Sequence, residues 1–466
     1  MWNRVLWVVL VGLAGSFGTA AGQSSGNPGE AVWRSASYHG GSDYEFAERL
    51  TVDEQGNAYL LGRTFSSDMH PAVMPAATSS GERPTATFVL KLDRNGQPVY
   101  AMPVGTGFGF LPLDIAVGVD GSAHVLARVG DVRHVMKIDP SGSQLLYDAA
   151  FSGLSRDSVY PTAIAVDDVG HTVLAGWWSS GLFVARLDAR GSVYDIASIP
   201  IQADLRDLAV DRVGDVYVTG SISADGLPTG PQSLRPRYNG GTCFDVFPPL
   251  DGPPAGFPCP DAFLLKMTRR GEVAYATYLG GTGWDQGTTV AVDGTGAAVV
   301  AGLTRSKDLP TARAAQPQCK PGFAPLECGD AFVAKVDPAG SSLVFATYLG
   351  GTDTEVVTGL AVDASGSTYV AGSITGNGMP IFRAVQSASG GGESDGFVTA
   401  LGPLGDLMWS TYIGGPQEER IVGIGATGGT IYMGGETTSP GWAVGGPAHH
   451  GARDLFAARL TDLAGR

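Results

Sequence analysis

A three-part sequence module recurs seven times between Trp33 and Arg466. A chain that repeats a short, strand-rich unit in this way stacks those units side by side instead of folding around one central core. The first part is a hydrophobic segment ending in Val-Asp, a turn, and a second hydrophobic segment. It reads LTVDEQGNAYLLG at 50–62, IAVDDVGHTVLAG at 164–176, LAVDRVGDVYVTG at 208–220, TVAVDGTGAAVVAG at 289–302 and LAVDASGSTYVAG at 360–372. Two further copies carry Gly118 and Ala426 where the others have Asp53, Asp167, Asp211, Asp293 and Asp363. Three residues on, all seven have glycine: Gly56, Gly121, Gly170, Gly214, Gly296, Gly366 and Gly429. Aspartate accepts hydrogen bonds from a turn backbone and glycine takes positive φ, so the pair predicts a hairpin turn between two strands.

The second part sets an aromatic residue three places before a basic one, as in TFVLKLDRNG, LFVARLDARG, DAFLLKMTRRG and DAFVAKVDPAG. Phe88, Phe183, Phe263, Phe332, Phe397 and Phe456 fill the aromatic position, with His134 in the second copy. Lys91, Lys137, Arg186, Lys266, Lys335 and Arg459 fill the basic one, with Ala400 the exception. The third part is a further strand, clearest in YATYLGG, FATYLGG and WSTYIGG, which contain Tyr278, Tyr348 and Tyr412. Each period thus supplies four short antiparallel strands. The predicted fold is all-β, a seven-bladed β-propeller of four-stranded blades. The chain opens with a lone final strand, WRSASYHGG at 33–41, and closes with the element that precedes it, DLFAARLTDLAG. These two should pair and close the ring, which removes sheet edges without a covalent link.

The strings DAFVAKVDPAGS, YATYLGGTGWD and GLAVDASGSTYVAGSIT resemble the bacterial SBBP family of β-propeller repeats, and the resemblance spans nearly the whole chain after residue 32. DLPTARAAQ and GLPTGPQSL resemble that family's connector between its second and third strands. The second and fourth modules depart from the pattern in places, notably at Pro103, where a tyrosine is expected, and around Asp167, where tyrosines are missing. The resemblance implies an extracellular or surface module with no shared catalytic set.

Residues 1–21, MWNRVLWVVLVGLAGSFGTAA, follow signal-peptide grammar: one basic residue, an apolar core and small residues at the end. The apolar run is short and broken by glycine, against the ~20 residues a spanning helix needs. The expected organisation is a signal peptide at 1–21, a flexible segment at 22–32 and the propeller at 33–466. The expected location is secreted, periplasmic or cell-surface, with no membrane insertion after cleavage. The formal net charge of −15 disfavours nucleic acid and anionic membrane as partners. The chain has four cysteines, Cys243, Cys259, Cys319 and Cys328, all in connectors. An even count in an exported chain suggests disulfides. Three connectivities are open, and the local one, Cys243 with Cys259 and Cys319 with Cys328, is expected because it closes two short loops. Neither pair has CxxC spacing or a histidine in its connector, so a metal site is not expected.

The distance from the second strand to the third varies. It is short from Ala127 to His134 and from Gly176 to Phe183, and long in the five other modules. Alternating strand direction places the five long connectors on the face that also carries the links between blades, so localised function belongs on that face. Trp177 and Trp178 lie beside a short connector in GWWSSGLF. Adjacent strand residues point to opposite faces, so one tryptophan should pack inward and the other is a candidate ligand contact. The repeated aspartates occupy equivalent turns, which makes them structural, because catalytic carboxylates must converge on one substrate. The basic residue of each third strand is expected to be solvated, and His449–His450 has no nearby third ligand in sequence. G-x-S-x-G, HExxH and phosphate-loop motifs are absent, and no catalytic residue, metal site or cofactor is assigned. The chain reads as an extracellular or cell-surface module that binds protein or polysaccharide. A secreted carbohydrate- or polymer-active hydrolase or lyase, with residues gathered in the central channel, is the alternative. A structural role in an extracellular assembly is the third.

Overall fold

A computed structural model describes residues 31–69, 85–151, 159–244, 256–320, 328–442, 449 and 451–462. The expected leader, Met1–Ala21, lies outside them. The described residues form seven four-stranded antiparallel sheets arranged as a seven-bladed propeller, plus a two-stranded ribbon. Six blades take their strands in sequence order, from the first strand at the centre to the fourth at the rim. Blade one starts at Glu45–Val52, blade two at Phe110–Val117, blade three at Tyr160–Val166 and blade four at Asp204–Val210. Blade five starts at Asp285–Val292, blade six at Glu355–Val362 and blade seven at Glu419–Thr427. In blade seven the rim strand is the N-terminal segment Ala31–His39, paired antiparallel with Asp454–Asp462 so that Tyr38 faces Phe456. The closure predicted from the sequence is therefore present, and its strand begins two residues before Trp33.

Blade pairing follows from the repeat. Gly56 has φ 84°, its N–H donates to the Asp53 carbonyl, and Asp53 Oδ1 accepts from the Gln55 and Asn57 amides. Strand-three aromatics Phe88, Phe183, Phe263, Phe332 and Phe397 are fully buried between blades. Truncating one of them to alanine costs roughly 3–5 kcal/mol at such a site.

The basic residues are not solvated as expected. Lys91, Lys137, Arg186 and Lys335 are buried. They reach hairpin turns, in several cases that of the following blade: Lys91 Nζ donates to the Pro140 carbonyl, Arg186 Nη2 to that of Gly214 and Lys335 Nζ to that of Gly366. Lys335 also pairs with Asp293 at 2.8 Å and Lys266 with Asp215 at 3.0 Å. The hairpin aspartates thus hold the turn with one oxygen and a buried partner with the other. Tyr59, Tyr217 and Tyr369 donate to Asp53, Asp211 and Asp363 at 3.0 Å. In blade three, which lacks that tyrosine, His171 stands 3.3 Å from Asp167. Where Gly118 replaces the aspartate, Asp120 two residues later meets Lys137 at 3.5 Å.

Candidate functional site

Every first strand carries a register shift at the same place, and in six of the seven the residue after it lines the central channel: Arg49, Asp114, Asp207, Thr289, Gly359 and Gly423, while Ala163 packs into the core. The channel holds a cavity of about 480 Å³ lined by all seven first strands. Its carboxylates are committed to neighbouring backbones. Asp114 Oδ2 accepts from the Ile164 amide at 3.0 Å, and Asp207 Oδ2 accepts from the Val290 amide at 2.8 Å and the Thr289 hydroxyl at 2.9 Å. Burial, with the Asp114 charge behind it, pushes Asp207 up to about 7. Both aspartates therefore act as clamps from one first strand to the next. Among the described residues no group of three or more His, Cys, Asp or Glu is placed to hold a metal ion.

A second set of carboxylates, not anticipated from the sequence, lies toward the connector face in the seams between blades. The first residue of strand one in blades five, six, seven and one is Asp285, Glu355, Glu419 or Glu45. Each accepts from the amide of the second glycine in the preceding Gly-Gly: Gly281, Gly351, Gly415 or Gly41. Across each seam stands the aspartate two residues before the buried aromatic: Asp261, Asp330, Asp395 or Asp454. The first glycine of each Gly-Gly lies between the two carboxyls. A Cβ built on Gly280 would stand 2.7 Å from Asp285 Oδ2 and 2.9 Å from Asp261 Oδ1. Burial pushes Asp261 up to about 7, Asp285 and Asp330 to about 6, and Glu355 to about 8. The remaining three seams have Ala86 with Phe110, Val132 with Tyr160, and Gly181 with Asp204 at these positions.

The seam aspartates also anchor connectors. Asp261 accepts from the Asn239 amide, Asp330 from Gln316 Nε2 and the Lys320 amide, and Asp395 from the Ser389 hydroxyl and the Gly391 amide. At the rim, Tyr278, Tyr348 and Tyr412 hydroxyls accept from the Leu227, Leu309 and Met379 amides. Thr277, Thr347 and Thr411 hydroxyls accept from the Arg235, Gln316 and Gln386 amides. The connectors of blades four, five and six therefore run from the face down to the outer edge, so a large part of each covers the rim and does not stand free as a loop.

That leaves aromatic side chains on the face where connectors are short or link blades. Trp177 is 44% exposed and stacks on Tyr160 at 4.5 Å, with the Arg133 guanidinium 5.6 Å above the Tyr160 ring. Trp178 turns inward onto Phe183, 5.8 Å between rings. A second group joins Tyr44, Phe46, Phe65 and Phe108 ring to ring, with Phe108 61% exposed. Tyr44 and Phe108 lie in links between blades, a position the repeat pattern does not single out.

The Cys243–Cys259 disulfide is formed and joins the two strands of the ribbon to the connector base. The expected Cys319–Cys328 bridge is not: both are thiols. Cys328 is buried, which pushes its thiol up, and it is hydrogen-bonded to Cys319, so the protonated thiol already has a partner. His449 packs edge-on to Tyr38 at 5.4 Å, and His450 lies outside the described residues.

No protein-family model matches the chain. The regulatory protein FlaEY of Caulobacter vibrioides is 33% identical over 112 residues, which is 24% of this chain and only 12% of that protein. Solved structures similar in fold include BamB from Moraxella catarrhalis, with TM-score 0.40 and 10% identity over 92% of this chain and 99% of that one. Virginiamycin B lyase from Staphylococcus aureus gives TM-score 0.44 and 9% identity over 93% and 99%. The WD40 propeller domain of Doa1 gives 0.46 and 11% over 92% and 97%. At this identity and these scores the three carry no functional argument.

Proposed function

We propose that the chain is a binding or scaffold module of the cell surface or exterior that recognises protein or polysaccharide through the face bearing the blade links and connectors. The observation that carries this reading is the exposed Trp177–Tyr160 stack under Arg133, an apolar platform with a cation beside it. Such a platform suits the flat face of a sugar ring or a peptide aromatic. The Cys243–Cys259 disulfide supports an oxidising compartment, and the sequence resemblance to surface propeller repeats agrees with it. The test is retention of the mature protein on immobilised envelope polysaccharides and proteins, with Trp177→Ala beside wild type. Loss of retention at unchanged thermal stability supports the platform; equal retention removes it.

The enzyme reading has one observation in its favour, the Asp207 carboxyl held up to about 7 near Asp114 in the channel. Its Oδ2 accepts from the Val290 amide and the Thr289 hydroxyl and its Oδ1 from the Leu208 amide, so both oxygens already hold strand one of the next blade or their own strand in place. Polymer cleavage lost in Asp207→Asn with the fold intact would reverse that preference.

A further inference from the structure

The blades do not end alike at the rim. In blades four, five and six the outer strands are Val273–Leu279, Leu343–Leu349 and Leu407–Ile413, and the last five residues of each are buried. Along these edges runs each blade's own connector, which touches the strand through a few backbone hydrogen bonds. Ala312 and Ala346 exchange two backbone hydrogen bonds, as do Phe382 and Ser410. The Tyr278, Tyr348 and Tyr412 amides donate to the Arg235, Gln316 and Gln386 carbonyls, each at 3.1 Å.

Blades two and three have outer strands Leu145–Phe151 and Val193–Ile199, where only the last residue of each is buried. Their connectors between strands two and three are Gly130–Asp131 and Ser179–Ser180, too short to reach the rim. Among the described residues no segment pairs with either edge. By register, the positions of Ala346 and Tyr348 are taken by Asp148 and Ala150 in blade two, and by Ile196 and Ser198 in blade three. The amides that meet a connector in the other blades therefore face outward here without one. Leu146, Tyr194 and Ile196 stand 48%, 51% and 38% exposed along these strands.

We propose that the rim of blades two and three is a strand-addition site for an extended, arginine-bearing segment of a protein partner. The molecule itself shows the form of the occupant. The connectors that cover the equivalent edges are rich in small residues, pair with the edge through single residues and place Arg235, Arg313 and Arg383 at or beside those residues, the chain turning away at Arg313 and Arg383, each with φ 46°. Charge favours a basic segment: Asp148, which meets His134 at 2.8 Å, and Asp195, 3.9 Å from the buried Arg186, sit in mid-strand with side chains 47% and 45% exposed, and Asp139 and Asp188 lie in the turns before them, against the exposed Arg190. The same carboxylates disfavour a second copy of this chain, since edge-to-edge pairing brings like charges together. Added strands gain main-chain hydrogen bonds, and side chains on alternate positions set the preference.

The probe is a labelled peptide of the chain's own connector sequence 309–318, LPTARAAQPQ, added to the full mature protein, with the same peptide carrying Arg313→Glu as its control. Binding is read by fluorescence anisotropy and by amide hydrogen exchange of 145–151 and 193–199. The expected result is at least five-fold slower exchange in those strands at saturation and at least ten-fold weaker binding of the glutamate peptide. Ala150→Pro and Ser198→Pro each remove an outward N–H at an edge, where proline is tolerated, and should weaken binding ten-fold together. Asp148→Lys with Asp195→Lys gives the same test through charge if the proline variants fail to fold. No exchange protection at 1 mM peptide, or equal affinity in both variant pairs, overturns the proposal. Concentration-dependent protection without peptide would also overturn it, by making a second copy the occupant. Trp177→Ala should leave peptide affinity unchanged, which separates this site from the aromatic platform.

Discussion

Glu355 Oε2 and the carboxyl group of Asp330 close on Gly350 from opposite sides of a blade seam, and among the described residues neither Glu355 Oε2 nor Asp330 Oδ1 has a hydrogen-bond partner. Burial without a partner disfavours the ionised form of each, which matches the upward push on both groups. Glu355 is the extreme case because Ile374 stands opposite it, where Thr304 and Thr437 donate to Asp285 and Glu419 in neighbouring seams.

This makes stability fall on the alkaline side. Burial, then Asp330 and Asp353, pushes Glu355 up to about 8, with Lys320 opposing, while an unfolded glutamate releases its proton near 4.5. Between those values the folded chain holds the extra proton. The contribution is fully present below about pH 4.5 and is lost as pH rises through 8. Each such group adds a slope of up to about 1.4 kcal/mol per pH unit. Thermal melts from pH 5 to 9 should show a falling midpoint, and Glu355→Gln should flatten that fall and melt above wild type at pH 9. A flat wild-type profile would refute the seam assignment.

The Gly-Gly of each rim strand is then a matter of space. Gly350 lacks positive φ, yet a Cβ there would lie 2.5 Å from Glu355 Oε2 and 2.8 Å from the Asp330 carboxyl carbon. Gly350→Ala should cost about 1–3 kcal/mol by overpacking. Gly294→Ala, with nothing within 4 Å of the added carbon, is the control and should be near neutral in urea denaturation.

The ring, its strand order and its closure were legible because period, turn chemistry and the split terminal blade all point to one architecture. So was the structural role of the hairpin aspartates. The seam pairs were not, although DAF and GGTGWD stand in plain view. Asp261 and Asp285 are separated by two strands, a turn and a link, and nothing in one dimension shows that they meet. The same holds for Lys335, whose partner Asp293 lies across blade five and whose second contact, the Gly366 carbonyl, belongs to the next blade. Connector length was visible, but not its destination. That signal sits in the Thr-Tyr dipeptides 277–278, 347–348 and 411–412, replaced by Ala149–Ala150 and Ala197–Ser198 where the connector is short.

Tyr348 tests that latch. Its hydroxyl donates to the Ser306 carbonyl at 2.8 Å and accepts from the Leu309 amide at 3.0 Å. Tyr348→Phe keeps the buried ring and strands both groups, at about 1–3 kcal/mol. The expected signature is local: faster amide exchange over 307–318, with the exchange of Ala331–Val336 in the blade core little changed.

Lys335 and Asp293 test the buried ion pairs that join strand three to the hairpins. Their nitrogen–oxygen distance is 2.8 Å with side chains 4% and 6% exposed. Breaking such a pair from one side leaves a charge without a partner in a site closed to water, so Lys335→Met should cost about 3–5 kcal/mol. The Asp293 carboxyl also holds the Thr295 and Ala297 amides, which an asparagine oxygen at the same place still accepts. Adding Asp293→Asn to Lys335→Met removes the stranded charge while keeping the turn, so the double variant should regain a large part of the loss. A double variant no more stable than Lys335→Met alone would mean that lost packing of the lysine stem, and not the uncompensated carboxylate, sets the cost.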